Sequence, residues 1–173
     1  DRRKKQEKVL KEAIKMGQEI IKDNQDKCSL VLYSPNWHSG VIGIVASKIV
    51  EEFNRPCAII SINKDGLGRG SLRTKKSINL YEILKKCESH LIQYGGHSAA
   101  AGITINSDEI SNFDNQFEDS IKNYNYESNE TIDVDMEIEF DEIELSSLDD
   151  LRRMEPFGKE NPNPVFITRQ INV

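Results

Sequence analysis

Apolar residues recur at helical spacing over residues 2–23, where Val9/Leu10, Ala13/Ile14, Gly17 and Ile20/Ile21 are separated by Lys and Glu. That period predicts an amphipathic helix. Cys28–Tyr33 and Ala58–Ile62 are short, continuous apolar runs of strand type, each closed by turn residues: Ser34-Pro35-Asn36 and Asn63-Lys64-Asp65-Gly66. Between them, Val41, Ile42, Val45, Ile49, Val50 and Phe53 keep helical spacing up to Arg55-Pro56. Ser39 is the expected cap of that helix. Leu67–Arg73 reads as a third strand, interrupted by Gly68 and Gly70. A helix is expected from Leu80 to about Gln93, with Asn79 as cap, Glu82 at the capping-box position and Gly95-Gly96 as its stop.

Further along, Ala99–Ile105 fits a strand, and Ser107 to about Tyr124 fits a helix capped by Ser107. Glu127–Glu130 reads as a linker. Ile132, Val134, Met136, Ile138 and Phe140 then alternate with acidic residues, a period of two that predicts an amphipathic strand. A short helix is expected over Ser147–Met154. The Pro156–Pro164 stretch reads as a rigid connector leading into a strand at Val165–Ile167. Alternating strands and helices define an α/β layer structure.

Composition changes this picture mainly through charge. The net charge of −6 is concentrated. Residues 106–150 hold 16 acidic side chains and 1 basic one, whereas residues 28–105 hold 9 basic and 5 acidic. The glycine-rich segments therefore lie in a mildly basic region, and the overall acidity does not argue against an anionic partner. No apolar run approaches the roughly 20 residues of a membrane-crossing helix. Cys28, Cys57 and Cys87 form no CxxC pair and read as reduced core thiols of a cytosolic protein. The chain opens on Asp1-Arg2-Arg3-Lys4-Lys5 without a starting Met, as expected of a piece of a longer protein.

Three segments can carry chemistry. Tyr94-Gly95-Gly96-His97 places an imidazole after two glycines. Their N–H groups can form an anion-binding concavity and His97 can transfer a proton; on spacing alone, a helix stop followed by a structural His is the favoured reading. In Gly68-Arg69-Gly70-Ser71-Leu72-Arg73-Thr74, Arg69, Ser71 and Arg73 project from one face of a strand. They fit a phosphate grip or a basic edge strand that discourages pairing. In Trp37-His38-Ser39-Gly40, His38 precedes a helix N-terminus, where free N–H groups favour anions, or is a turn residue with a local hydrogen bond. Trp37 reads as packing. With three histidines and no Asp/His cluster at ligand spacing, no metal site is expected.

These segments occur in an order that resembles one family. Trp37–Lys48 resembles the helix-opening motif of the RecJ single-stranded-DNA exonucleases, and Gly70-Ser71-Leu72-Arg73-Thr74 their GSxRS segment. Gly95-Gly96-His97 with Ala100-Ala101-Gly102 resembles the GGHxxAAG motif of the DHHA1 domain. Glu155–Phe166 resembles the PFGxxNPxPxF connector into an OB-fold.

The resemblance implies a DHHA1-type mixed β-sheet flanked by helices, an N-terminal linker helix and a C-terminal β extension. The domains would be a linker helix over 1–27, a DHHA1 domain over 28–126, and a connector with the opening strands of an OB-fold over 127–173. It implies a cytoplasmic 5′-to-3′ exonuclease of repair and recombination. Its metals, manganese or magnesium, would be held by an upstream DHH domain without counterpart here, so that this piece alone is inactive and binds no metal. Ser71, Arg73, Thr74 (where the family often has Ser), Gly95, Gly96, Arg69 and His38 would contact substrate phosphates, and His97 would be catalytic. Single-stranded DNA and the DHH domain are the implied partners, with single-strand-binding protein as a further candidate. Two other readings stand beside it: a phosphodiesterase for short oligonucleotides or cyclic dinucleotides, and a non-catalytic acidic interaction module at 106–150.

Overall fold

The computed structural model describes residues 2–75, 78–124, 133–158 and 160–169. The chain divides into two compact units, residues 1–128 and 129–173.

In the first unit the order is α1 (Arg2–Asp23), β1 (Leu30–Ser34), α2 (Ile42–Phe53), β2 (Cys57–Ile62), β3 (Leu67–Arg73), α3 (Leu80–Lys86), β4 (Gln93–Gly96), β5 (Ala100–Asn106) and α4 (Ile110–Lys122). The five strands make one sheet in the order β1-β2-β3-β5-β4. β1 and β2 run parallel and the other pairs antiparallel, so the sheet is mixed and flanked by helices. The continuous apolar runs at β1 and β2 follow from burial on both faces. On one face Leu30, Leu32, Cys57 and Ile59 pack with α1 and α2. On the other, Val31, Ala58, Ile60, Leu72, Ile103 and Ile105 pack with α3 and α4, where Phe113 and Phe117 stack with ring centroids 5.4 Å apart.

The start of β1 is tied to α4 by polar contacts. Glu118, 7% exposed, accepts the N–H groups of Cys28 (2.7 Å) and Ser29 (2.9 Å) and the Ser29 hydroxyl (2.5 Å). Lys27 pairs with Asp114 at 2.9 Å. Trp37 is buried, its Nε1 donating to Glu12 at 2.9 Å, in keeping with a packing role.

Several expectations are corrected. The helix opened by Asn79 ends at Lys86, not near Gln93. A 3-10 turn at Glu88–His90 follows, and Gln93–Gly96 form β4. Gly95 and Gly96 are therefore strand residues rather than a helix stop, because pairing with Ala101–Thr104 claims their backbone. Glu82 does not close a capping box, since the Asn79 N–H donates to the Tyr124 hydroxyl. Ser107 does not cap α4: its N–H donates to Gly66 O and a 3-10 turn intervenes. Ser39 does not cap α2, which has Val41 at its N-cap position and no side-chain cap.

The second unit contains β6 (Met136–Glu137), a 3-10 turn (Phe140–Glu142), α5 (Leu145–Arg152) and β7 (Phe166–Ile167), with β6 and β7 parallel. The strand expected over Ile132–Phe140 is thus reduced to two residues; Ile132 and the Glu127–Glu130 linker lie outside the described residues. In the connector, Asn161 Nδ2 donates to the carbonyls of Met154 (2.8 Å) and Pro156 (3.1 Å), so side-chain hydrogen bonds shape this proline-rich stretch.

Candidate functional site

Along β3, burial alternates. Gly68, Gly70 and Leu72 face the α3/α4 core, and Arg69, Ser71 and Arg73 share the opposite face. A strand's period of two dictates this division. Sheet pairing extends each outward residue into a row. Arg69 lies beside Thr104 and then Gln93, Ser71 beside Gly102 and then Gly95, and Arg73 beside Ala100. The middle row is nearly free of side chains. A Cβ on Gly95 would meet nothing within 4 Å, and one on Gly102 would meet only Gly70 O at 3.8 Å. Both glycines are exposed, so the floor between the polar rows is bare backbone.

At one border of this floor, Arg73 Nη1 donates to Ser71 Oγ (3.0 Å) and Leu72 O (2.7 Å), which fixes the guanidinium beside the hydroxyl. The N-terminus of α2 approaches them: a Cβ on Gly43 would stand 3.3 Å from both Arg73 Nη2 and Ser71 Oγ. α2 has neither a side-chain cap nor an acidic residue in its first turn, so among the described residues no side chain caps its first N–H groups. An open groove of about 640 Å³ runs along this junction, lined by Ser39, Gly43, Ser47, Lys48, Ser71 and Arg73 among others. Arg2, which also lines it, donates to Gly40 O at 3.0 Å. Sequence reasoning did not single out Arg2 or Lys48. A Lys six residues after the first residue of a helix is an ordinary surface pattern, and Arg2 arrives only through the packing of α1.

Gly43→Ala tests the closeness of this approach. The substitution favours the helix by up to about 1 kcal/mol, so thermal stability should hold or rise. The added methyl crowds Arg73 and Ser71, so anion binding at the groove should weaken.

The other predicted residues are placed as follows. His97 is exposed in the β4–β5 turn, its N–H donating to Ala100 O at 2.9 Å. That turn adjoins the end of β3, since Thr74 N donates to Ala99 O at 3.2 Å. Gly96 enters it with φ +147°, a conformation that favours glycine. The Thr74 hydroxyl oxygen is buried without a hydrogen-bond partner among the described residues. His38 Nδ1 accepts the Gly40 N–H at 3.0 Å, which occupies one ring nitrogen in shaping the turn before α2. His90, given no role, faces Glu109 at 2.9 Å. Cys57, paired opposite Arg73, is pushed up to about 12 by burial, against the pull of the Arg73 charge, so its thiol stays protonated and inert. Among the described residues no group of three His, Cys, Asp or Glu side chains could hold a metal ion.

The basic, hydroxyl-bearing row, the start of α2 and the glycine floor belong to one mixed α/β domain, and family comparison gives its class. Residues 26–123 match the DHHA1 domain model, and the chain belongs to that family. Residues 134–173 match the RecJ OB domain model. Among curated relatives, the single-stranded-DNA-specific exonuclease RecJ of Bacillus subtilis is 31% identical over 167 residues, 95% of this chain and 21% of that protein. The protein of the same description from Thermus thermophilus is 31% identical over 139 residues, 80% of this chain and 20% of the relative. The crystal structure of Thermus thermophilus RecJ in complex with Mg2+ superposes with a TM-score of 0.71 at 27% identity, covering 95% of this chain and 25% of that one. Its Mn2+ complex gives 0.66 at 26% identity, covering 94% and 24%. The chain thus spans about a fifth to a quarter of the length of these relatives.

Proposed function

We propose that this chain is the substrate-holding part of a 5′-to-3′ single-stranded-DNA exonuclease of repair and recombination. One observation carries the reading: Ser71 and Arg73 are held together at 3.0 Å beside the uncapped start of α2, next to a floor of bare glycine backbone. A phosphate there receives a guanidinium, a hydroxyl and helix N–H groups at once. The glycine floor lets a strand lie close to the sheet. Our domain reading keeps α1 as a linker helix over 1–27, the phosphate-holding domain over 28–126 and the connector from 127 onward.

His97, exposed at the end of the row, is assigned to the reacting phosphate as hydrogen-bond donor or proton carrier. The metals are assigned to a DHH domain outside this chain. Among the described residues no group of three His, Cys, Asp or Glu side chains could hold them. The RecJ structures that resemble this chain were determined with Mg2+ or Mn2+. On this reading the chain alone binds strands without cleaving them.

Fluorescence anisotropy with a 5′-phosphorylated single strand over a salt series tests the reading. Affinity is expected to fall with rising salt, with a slope of about 0.7 per phosphate neutralised. Arg73→Ala should weaken binding by about tenfold and flatten the slope. Unchanged affinity in the Arg73→Ala/His97→Ala double variant would remove the site.

A further inference from the structure

The same open face carries a second polar group beyond the phosphate grip. Arg69, Thr104 and Gln93 occupy one cross-strand row over β3, β5 and β4. Arg69 and Gln93 are exposed and Thr104 is half-buried. None of the three side chains has a hydrogen-bond or ion-pair partner among the described residues. Neighbouring strands are about 4.8 Å apart, so the row offers a guanidinium, a hydroxyl and a carboxamide across roughly 10 Å. They line an open groove of about 490 Å³ that contains no carboxylate and reaches the glycine floor at Gly95 and Gly102. Gly70 borders both this groove and the one at Ser71 and Arg73.

We infer that Arg69, Thr104 and Gln93 form a second nucleotide subsite, separate from the Ser71/Arg73 grip, that engages the strand about two nucleotides further along. This rests on the reading of the face as a strand-binding surface and deepens it. The spacing follows from covalent geometry. Arg69 and Arg73 lie four residues apart on one strand face, about 13 Å. A nucleotide backbone repeat has six bonds against three for a residue, so four extended residues match about two extended nucleotides.

The chemistry divides the labour. Arg69 supplies a charge-assisted contact to a phosphate. The Gln93 carboxamide can donate and accept at once and the Thr104 hydroxyl can do the same, which suits a base edge or a sugar. The glycine row between the two groups leaves room for the intervening nucleotide to cross without side-chain contact.

The test is an amide chemical-shift titration of the chain with 5′-phosphorylated thymidine oligonucleotides of one to four nucleotides. Affinity is expected to rise about tenfold when the third nucleotide is added. Arg69→Ala and Gln93→Ala should each abolish that rise, and Gln93→Ala should leave the mononucleotide affinity unchanged. Arg73→Ala should weaken every length, the mononucleotide included. The inference is overturned if the rise at the third nucleotide survives in Arg69→Ala/Gln93→Ala, or if Gln93→Ala weakens the mononucleotide as much as the trinucleotide. Failure of the unaltered chain to bind even the tetranucleotide would instead overturn the strand-binding reading itself, and this inference with it.

Discussion

Replacing Gly96 with alanine is expected to destabilise the first unit by about 3 kcal/mol or more and to lower its melting temperature by about 10 °C. Two causes add. At φ +147° the backbone occupies a region that side-chain-bearing residues rarely adopt. The new Cβ would also press on the Ala100 carbonyl oxygen and come within 2.5 Å of Ala101 Cα. These are backbone atoms of the paired strand, so neither can rotate away as a flexible side chain would. The β4–β5 turn that presents His97 depends on this geometry. Gly95→Ala is the control, because its Cβ meets nothing within 4 Å. It should change stability by less than about 1 kcal/mol while weakening strand binding, because the methyl stands on the floor. Thermal melts of the two variants, read beside anisotropy, separate the roles. Equal melting temperatures would show that Gly96 is not conformationally required.

Glu118→Gln is expected to cost about 3 kcal/mol at neutral pH. The carboxylate accepts three hydrogen bonds from Cys28 and Ser29 and pairs with Lys122 at 3.2 Å. A carboxamide has one acceptor oxygen, so its NH2 group would face N–H donors and leave them unpaired. Burial alone would raise the Glu118 pKa. The hydrogen bonds from Ser29 and Cys28, together with Lys122 and Lys27, outweigh it and hold the carboxyl below its ordinary value of 4.5. A depressed carboxylate pKa stabilises the fold fully above the unfolded value, and that contribution is lost as pH falls through the folded one. Wild-type stability should therefore hold down to about pH 4.5 and decline below it, while Glu118→Gln shows a smaller decline. Urea denaturation at pH 7 and in the acid range measures both. Parallel pH profiles for the two proteins would rule out Glu118 as the titrating tie between β1 and α4.

Most of the first unit could be read from residue pattern. β3 was expected at Leu67–Arg73 and runs over those residues. The outward projection of Arg69, Ser71 and Arg73 follows from strand alternation alone, and the structure places all three on one face. α1 and α2 match their apolar periods to within a residue or two. What escaped was decided by partners far away in sequence. Leu80–Gln93 is rich in good helix formers, and nothing local marks the end at Lys86; β5 decides it by pairing with Gln93–Gly96. Ser39 and Ser107 have the residue type and place of helix caps, yet neither makes a capping bond, and the Ser107 N–H is instead taken by Gly66 O. Thr74 looks like a site hydroxyl from its neighbours in sequence, and only the structure shows that its oxygen is buried without a partner among the described residues.

By itself, then, the sequence determined the kind of chemistry available: two arginines and a hydroxyl on one strand face, and glycines wherever a backbone must be approached. Side-chain period and the missing Cβ are local properties, and no tertiary contact can alter them. Only the tertiary structure decided that these parts meet. The packing of α2 brings Gly43 up to Ser71 and Arg73, and β5 sets Gly102 between Gly95 and Ser71. Those neighbours are 25 or more residues apart in most cases, and their meeting depends on strand order and core packing. A local pattern carries no information about either.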